Sequence, residues 1–241
     1  MKKVSVILPT YNESDNILGL IHEIIDNFPI NLDYEIIVVD DNSPDNTFDR
    51  VQKESLINCK ISAFKRTADR GLAKSIRYGI ERATGDQIVI MDTDFTHDPR
   101  EIPKMLHVGK IYDIVIASRF SPGGQMEDTG HYISSLFYNW WLRIILTTQI
   151  QDNLGGYFTI QKQKLELLPS DIIFHGYGDY FFRLLFYAER ERFSIVEIPA
   201  LYLSRKKGAS KSNYLKMLYN YTKSAIRLKI KPEITRISRP K

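Results

Sequence analysis

The stretch Val4-Ser-Val-Ile-Leu-Pro-Thr-Tyr-Asn-Glu13, followed by the apolar period of Ser14–Phe28, decides the fold class. Val4–Leu8 is a short β-branched run without polar alternation, the pattern of a strand buried on both faces. In Ser14–Phe28 the residues Ile17, Leu18, Ile21, Ile24, Ile25 and Phe28 share one helical face, with Ser14 as the expected N-cap. The alternation recurs downstream. Glu35–Val39, Gln87–Met91 and Asp113–Ala117 read as strands, Leu72–Ala83 and Pro99–Val108 as helices. Strands alternating with helices predict an α/β domain whose mostly parallel sheet is covered on both faces. Such sheets bind ligands at the carboxyl ends of their strands, so the chemistry is expected there.

Beyond Phe120 the pattern changes. Ser121-Pro-Gly-Gly reads as a turn, and Ile133–Leu146 as a helix carrying Phe137, Tyr138, Trp140 and Trp141. Leu154-Gly-Gly-Tyr is a second break and Tyr180–Glu189 a further helix. Ser194–Leu203 reads as a strand that Pro199 assigns to an edge or a bulge. Ser204–Asn213 is a basic, small-residue loop and Tyr214–Leu228 a last helix. No internal repeat is present.

With 241 residues, 43% of them hydrophobic and 12% aromatic, the chain can bury a core, which excludes a disordered or low-complexity protein. Charge is unevenly spread. Of 33 Lys+Arg and 29 Asp+Glu, 12 and one respectively fall from Ser204 onward, so the net +4 divides into −7 for the body and +11 for the tail. Two partners of different charge are expected. Cys59 stands alone, which excludes a disulfide framework and a Cys-based metal site and fits a reducing, cytosolic setting. The apolar run after Met1-Lys-Lys is too short for a signal-peptide core. No stretch of about 20 apolar residues is free of charge, so no transmembrane helix is expected. Tyr132–Ile150 comes nearest and is interrupted by Asn139 and Arg143.

The strand ends carry the candidate chemistry. The first strand ends in Pro9-Thr-Tyr-Asn-Glu13, not in G-x-G-x-x-G, which argues against a dinucleotide-binding domain of the NAD type. The second runs into Asp40-Asp41-Asn-Ser-Pro-Asp45. Two acids there can accept from ribose hydroxyls or a base edge; capping and turn formation is the plainer alternative. The next leads from Ile88–Met91 into Asp92-Thr-Asp94. Two carboxylates two residues apart at the end of a buried strand face one way. A divalent cation relieves their repulsion and desolvation, and an all-oxygen set beside phosphates suits Mg²⁺ or Mn²⁺. The alternative is that one Asp caps the following helix.

These segments, in this order, resemble family 2 glycosyltransferases of the GT-A fold, and within them the dolichol-phosphate mannose synthase and polyprenyl-phosphate glycosyltransferase group. The resemblance rests on Val6–Glu13, Val38–Asp45, Arg70-Gly-Leu-Ala with Gly79, Ala83–Asp86, Met91–Pro99, Ala117-Ser-Arg119, and Arg205 through Gly208 to Ser210-Lys211. It implies a GT-A Rossmann-like sheet over 1–203, a nucleotide-sugar half to about residue 120 and an acceptor half over 121–203. The tail, 204–241, would hold a phosphate-binding loop and a basic amphipathic helix. Pro9, Tyr11, Glu13 and Asp41 would line the pocket of a GDP- or UDP-linked sugar, and Asp92, Asp94 and Thr96 would hold the metal. Arg119 would sit near the acceptor phosphate or donor diphosphate, and Arg205, Ser210 and Lys211 would close over the phosphates. Three departures stand out: Phe158 replaces an arginine, Asp179 is new where the usual Gln and Glu are missing, and Thr96, at a position where an amide or hydroxyl is usual, is a weaker metal ligand than an amide or carboxylate.

The residue types also bear on mechanism. Glycosyl transfer from a nucleotide sugar leaves a diphosphate whose charge a divalent cation and arginines stabilise. A sugar hydroxyl acceptor needs a general base, for which Asp152 and Asp179 are the candidates. A phosphate monoester, with a second pKa of about 6, is already dianionic and needs only cations. The Lys and Arg near the site favour a polyprenyl phosphate. Trp140, Trp141, Phe137 and Tyr138 suit lipid headgroup depth, and the tail helix reads as an interfacial anchor on the cytoplasmic face of a membrane. Core packing is the alternative for the aromatic helix; a solvated face or an oligomer contact is the alternative for the tail. A non-catalytic membrane- or nucleic-acid-binding module is the reading from another class, although no aromatic-basic RNA motif is visible.

Overall fold

A computed structural model describes residues 3–204 and 214–232. Its first half alternates β1 (Val4–Thr10), α1 (Ile17–Asn27), β2 (Tyr34–Asp40), α2 (Thr47–Ile57), β3 (Ile61–Lys65), α3 (Leu72–Arg82), β4 (Gln87–Ile90), α4 (Ile102–Val108) and β5 (Ile114–Ser118). The second half holds β6 (Gln125–Met126), α5 (Thr129–Leu146), β7 (Phe158–Gln161), α6 (Lys162–Leu165), α7 (Ser170–Ile173) and α8 (Tyr180–Arg190). It ends with β8 (Ile195–Pro199), β9 (Leu201–Tyr202) and α9 (Tyr214–Ile230).

Seven strands form one sheet in the order β3-β2-β1-β4-β7-β5-β8. All pairs are parallel except those of β7, which runs antiparallel between β4 and β5. β1 is buried along its whole length, as its mostly apolar run without polar alternation requires. Even residues of β1 (Val4, Val6, Leu8) pack with α1 on one face, and Ile7 packs with α3 and α8 on the other. Two apolar layers therefore clamp the sheet and hold its strand ends rigid.

Several boundaries differ from expectation for local reasons. α1 begins at Ile17 with Asn16 in the N-cap position. The Ser14 amide donates instead to the Asp45 carboxylate at 3.0 Å, joining the loops after β1 and β2. The expected strand Ser194–Leu203 divides at Pro199 into β8, on the sheet edge, and β9, which pairs with β6. α5 starts four residues early because Asp128 accepts the His131 amide at 2.9 Å. Along α5 only Asn139, Leu142 and Leu146 are buried. The stripe Ile133, Phe137, Trp140, Trp141 and Ile144 is exposed, with Phe137 at 67%. Core packing therefore does not account for these aromatics. Among the described residues no helix is long and apolar enough to cross a membrane.

Candidate active site

A cavity of about 790 Å³ opens at the carboxyl ends of β1, β2 and β4. Pro9, Tyr11, Glu13, Asp41, Asp92 and Asp94 all line it, as does Asp179. Arg70, quoted above only as part of a matching segment, also lines it, and the fold adds residues that the sequence did not single out, among them Ser75, Tyr177 and, from α9, Lys216, Asn220 and Tyr221. Arg205, Ser210 and Lys211 lie outside the described residues.

The two acids after β2 divide the two readings between them. Asp40 is fully buried and accepts from the Ser43 amide (2.8 Å) and hydroxyl (2.5 Å), so it builds the turn. Asp41 faces the cavity. Its oxygens accept from Arg66 Nη1 at 2.9 Å and from the Gly71 amide at 2.6 Å. Gly71 has φ +150°, a left-handed conformation that glycine adopts without strain, and this aims its amide at Asp41. Arg66 also donates to Ser75 Oγ at 2.8 Å, so loop 66–71 is fastened to both β2 and α3. At the rim the Arg70 guanidinium lies 4.1 Å from the centre of the Tyr11 ring.

Asp92 and Asp94 follow β4 directly. The Asp92 side chain is 46% exposed toward the cavity, whereas Asp94 is largely buried. Asp94 Oδ1 accepts from the Thr96 amide (3.1 Å) and hydroxyl (2.6 Å), across a turn in which Phe95 has φ +65°. Such a backbone costs a bulky residue about 1–3 kcal/mol and is held by the surroundings, here the buried Phe95 ring. Among the described residues no group of three or more His, Cys, Asp or Glu is arranged to hold a metal. Two carboxylates beside an open cavity are instead the donor set of Mg²⁺ or Mn²⁺, which complete their spheres with phosphate and water. Thr96, expected as a third ligand, spends its hydroxyl proton on Asp94 and does not line the cavity.

His97, which the sequence reading passed over, is buried beneath this turn. Its Nδ1 accepts from the Asp92 amide at 2.9 Å. Burial pushes the imidazole down to about 4, against the upward pull of Asp94, so it is neutral near pH 7.

Arg119 and Asp152 do not line the cavity. Arg119 Nε and Nη2 donate to Asp152 at 2.9 and 2.7 Å, a bidentate pair between two buried side chains. Burial would lower the Arg119 pKa, but the Asp152 charge outweighs it and raises the pKa. Burial would likewise raise Asp152, and the Arg119 guanidinium outweighs it and depresses that pKa. Arg119 is therefore occupied with Asp152 where a phosphate was expected. Asp179 is held in the same manner. It pairs with Arg183 and accepts the Tyr177 amide at 2.9 Å. Arg183 is itself buried and donates to the Ile173 carbonyl and, at 3.0 Å, to Ser224 of α9.

The glycosyl transferase family 2 model matches residues 5–169, which contain both strand-end acid pairs and the turn between them. The chain belongs to glycosyl transferase family 2. As a family 2 member it is 35% identical to a dolichol-phosphate mannosyltransferase of Pyrococcus furiosus, over 98% of this chain and 66% of that protein. It thus spans just under two thirds of that relative's length. It is 32% identical to an undecaprenyl-phosphate mannosyltransferase of Micrococcus luteus, over 87% of each chain. Against polyprenol monophosphomannose synthase of Mycolicibacterium smegmatis the identity is 30%, over 94% of this chain and 88% of the other. Among solved structures, glucosyl-3-phosphoglycerate synthase of Mycobacterium tuberculosis with Mn²⁺ and UDP-glucose superimposes with a TM-score of 0.70 at 17% identity. The match covers 95% of this chain and 79% of that one, and it shows a shared GT-A fold.

Proposed function

We propose that this family 2 glycosyltransferase moves a sugar, with inversion, from a nucleotide-sugar donor to a polyprenyl phosphate at a membrane surface. The observation that carries the choice of acceptor is the locking of both candidate bases in ion pairs with buried arginines. A general base must present an open oxygen to the acceptor hydroxyl, and the oxygens of both acids are already engaged by these donors. A phosphate acceptor needs no such base. The curated relatives, each named for a polyprenyl-type phosphate acceptor, support the same reading.

Asp41, with Tyr11 and Arg70 at the rim, would receive the nucleoside, and Asp92 and Asp94 would hold a divalent cation that supplies positive charge to the donor diphosphate. That cation, when bound, supplies charge stabilisation to the departing diphosphate. Thr96 would orient Asp94. Lys216, from a helix whose described side chains include Lys223, Arg227 and Lys229 but no acid, would add positive charge on the opposite wall. The test is an assay of purified protein with GDP- and UDP-linked sugars, polyprenyl phosphate and Mn²⁺, scored by lipid-linked product. Transfer only to free saccharides overturns the proposal.

The exposed stripe of α5 borders α9, since the Tyr138 hydroxyl donates to the Leu218 carbonyl at 2.9 Å and Lys229 Nζ lies 2.8 Å from Thr147 Oγ1. Tyr219, Ile226 and Ile230 of α9 are exposed as well. Apolar and aromatic side chains beside basic ones fit an anionic bilayer surface. Sedimentation with phosphatidylglycerol vesicles should capture the protein. Phe137→Ser with Trp140→Ser should reduce partitioning by roughly tenfold, as expected from removing two interfacial aromatics. Equal capture of both proteins would leave the membrane reading without support.

A further inference from the structure

His97 stands between the two halves of the site without lining the cavity. Its ring is 1% exposed, stacked on Tyr157 at 4.7 Å and met edge-on by Tyr202 at 4.8 Å. Both tyrosines are anchored in turn: the Tyr157 hydroxyl donates to the Asp98 carbonyl at 2.9 Å and the Tyr202 hydroxyl to the Ala117 carbonyl at 3.1 Å. The ring can neither slide nor tilt without breaking these contacts.

Its two nitrogens have different partners. Nδ1 lies 2.9 Å from the Asp92 amide and Nε2 lies 3.1 Å from the Gly155 carbonyl. An amide can only donate and a carbonyl can only accept, so the proton sits on Nε2 and the lone pair on Nδ1. The tautomer is assigned by its partners. Gly155 in turn packs tightly: a Cβ there would lie 2.7 Å from the Tyr202 hydroxyl and 3.1 Å from the Asp152 carboxylate. One imidazole thus joins the backbone of Asp92, at the end of β4, to the loop beside the Arg119–Asp152 pair.

We propose that His97 is a positioning residue that sets the Asp92 carboxylate for the divalent cation. The proposal rests on the reading of Asp92 and Asp94 as metal ligands. Among the described residues Asp92 and Asp94 are the two candidate ligands, so no third described group compensates when one is displaced. Loss of the Nδ1 acceptor would take this partner from the part-buried Asp92 amide, and the backbone at Asp92 would turn to recover one. Groups of this kind, one bond removed from a metal ligand, are worth about 10- to 100-fold in metal affinity.

Two substitutions separate the two nitrogens. His97→Asn puts an amide oxygen where Nδ1 stands and keeps the Asp92 amide contact; His97→Gln reaches the Nε2 position and keeps the Gly155 carbonyl, with Asp92 Oδ2 3.8 Å from that nitrogen in the parent, but loses the acceptor for the Asp92 amide. The measurement is GDP and UDP binding by calorimetry with and without Mn²⁺, together with Mn²⁺ binding by electron paramagnetic resonance. His97→Gln should lose about tenfold or more of its Mn²⁺ affinity and of the Mn²⁺-dependent gain in nucleotide binding, with metal-free nucleotide binding unchanged. His97→Asn should stay within about threefold of the parent. Equal Mn²⁺ binding by the two variants overturns the proposal, as does a parallel fall with and without metal. If the parent protein itself binds nucleotide with no regard to Mn²⁺, the metal reading fails first and takes the proposal with it. Should both variants unfold, nitrogen NMR of the parent decides. An Nε2–H tautomer whose Nδ1 shift moves on adding Mg²⁺ and nucleotide supports the role, and an Nδ1–H tautomer or an unmoved shift overturns it.

Discussion

Asp94→Asn should lower kcat by about a thousandfold while leaving the fold intact. The substitution is isosteric, and the amide oxygen can still accept the Thr96 amide and hydroxyl that hold Asp94 Oδ1 at 3.1 and 2.6 Å. What disappears is one of the two negative charges that, on the proposed reading, would hold the divalent cation beside the donor diphosphate. A bound cation is worth several kcal/mol of transition-state stabilisation, and about 4 kcal/mol corresponds to a thousandfold. The Mn²⁺-dependent part of nucleotide binding should vanish with it. Thermal unfolding without ligand should be almost unchanged, which separates lost chemistry from lost structure. A variant that retains more than a tenth of parental kcat at saturating Mn²⁺ would remove Asp94 from the metal site.

Arg119→Met is expected to act on stability instead. Asp152 is completely buried, and its oxygens accept from Arg119 Nε, Nη2 and the Arg119 amide. Removing one partner of such a pair strands the other charge, at a cost of about 3–5 kcal/mol. In a chain of this size each kcal/mol shifts Tm by about 2–4 °C, so a fall of roughly 10 °C is expected at pH 7. Arg119→Met with Asp152→Leu should recover most of it, because no charge remains unpaired. The pH dependence has a definite sign. In the parent the Asp152 pKa is depressed, so the pair contributes fully above the ordinary carboxylate value of about 4 and is lost as pH falls through the depressed one. In Arg119→Met the guanidinium no longer offsets burial, and burial raises that pKa against the backbone hydrogen bonds from Arg119 and Leu154 that remain, so the variant gains relative stability as pH falls. The gap in Tm should be widest near pH 7 and narrow toward pH 4. A gap that is constant with pH would mean that Asp152 does not carry the effect.

The sheet and its ligand-binding edge were legible because β1, β2, β4 and β5 are unbroken apolar runs, and the acids that follow them could only emerge at the carboxyl ends. Six expected donor-side residues therefore share one cavity. α2 and β3 went unread for a physical reason. Only Thr47 and Val51 of α2 are buried, so Asp49, Arg50, Lys53 and Glu54 dilute its period, and β3 has a single buried residue, Ile61. Arg66, Arg70, Tyr177 and Lys216 reach the site from segments distant in sequence, and no local spacing announces them. Arg119 shows the converse. Its place after β5 was readable, but its partner Asp152 comes from 33 residues further on. His97 was visible in the sequence as part of the segment Met91–Pro99, and only the fold reveals which atoms its two nitrogens serve.

The reversed strand β7 has a consequence for how the molecule comes into being. Because it fills the place between β4 and β5, the strands of the first 120 residues cannot close into a continuous sheet by themselves. During synthesis the first five strands emerge with a gap between β4 and β5, and Val89 and Val115 wait for Thr159 to complete their pairings. Such non-local closure slows folding, since a long loop must be ordered before the contacts that reward it form. The two halves of the chain are therefore parts of one cooperative unit, and a chain cut near residue 120 would hold the cavity-lining acids on an unfinished sheet.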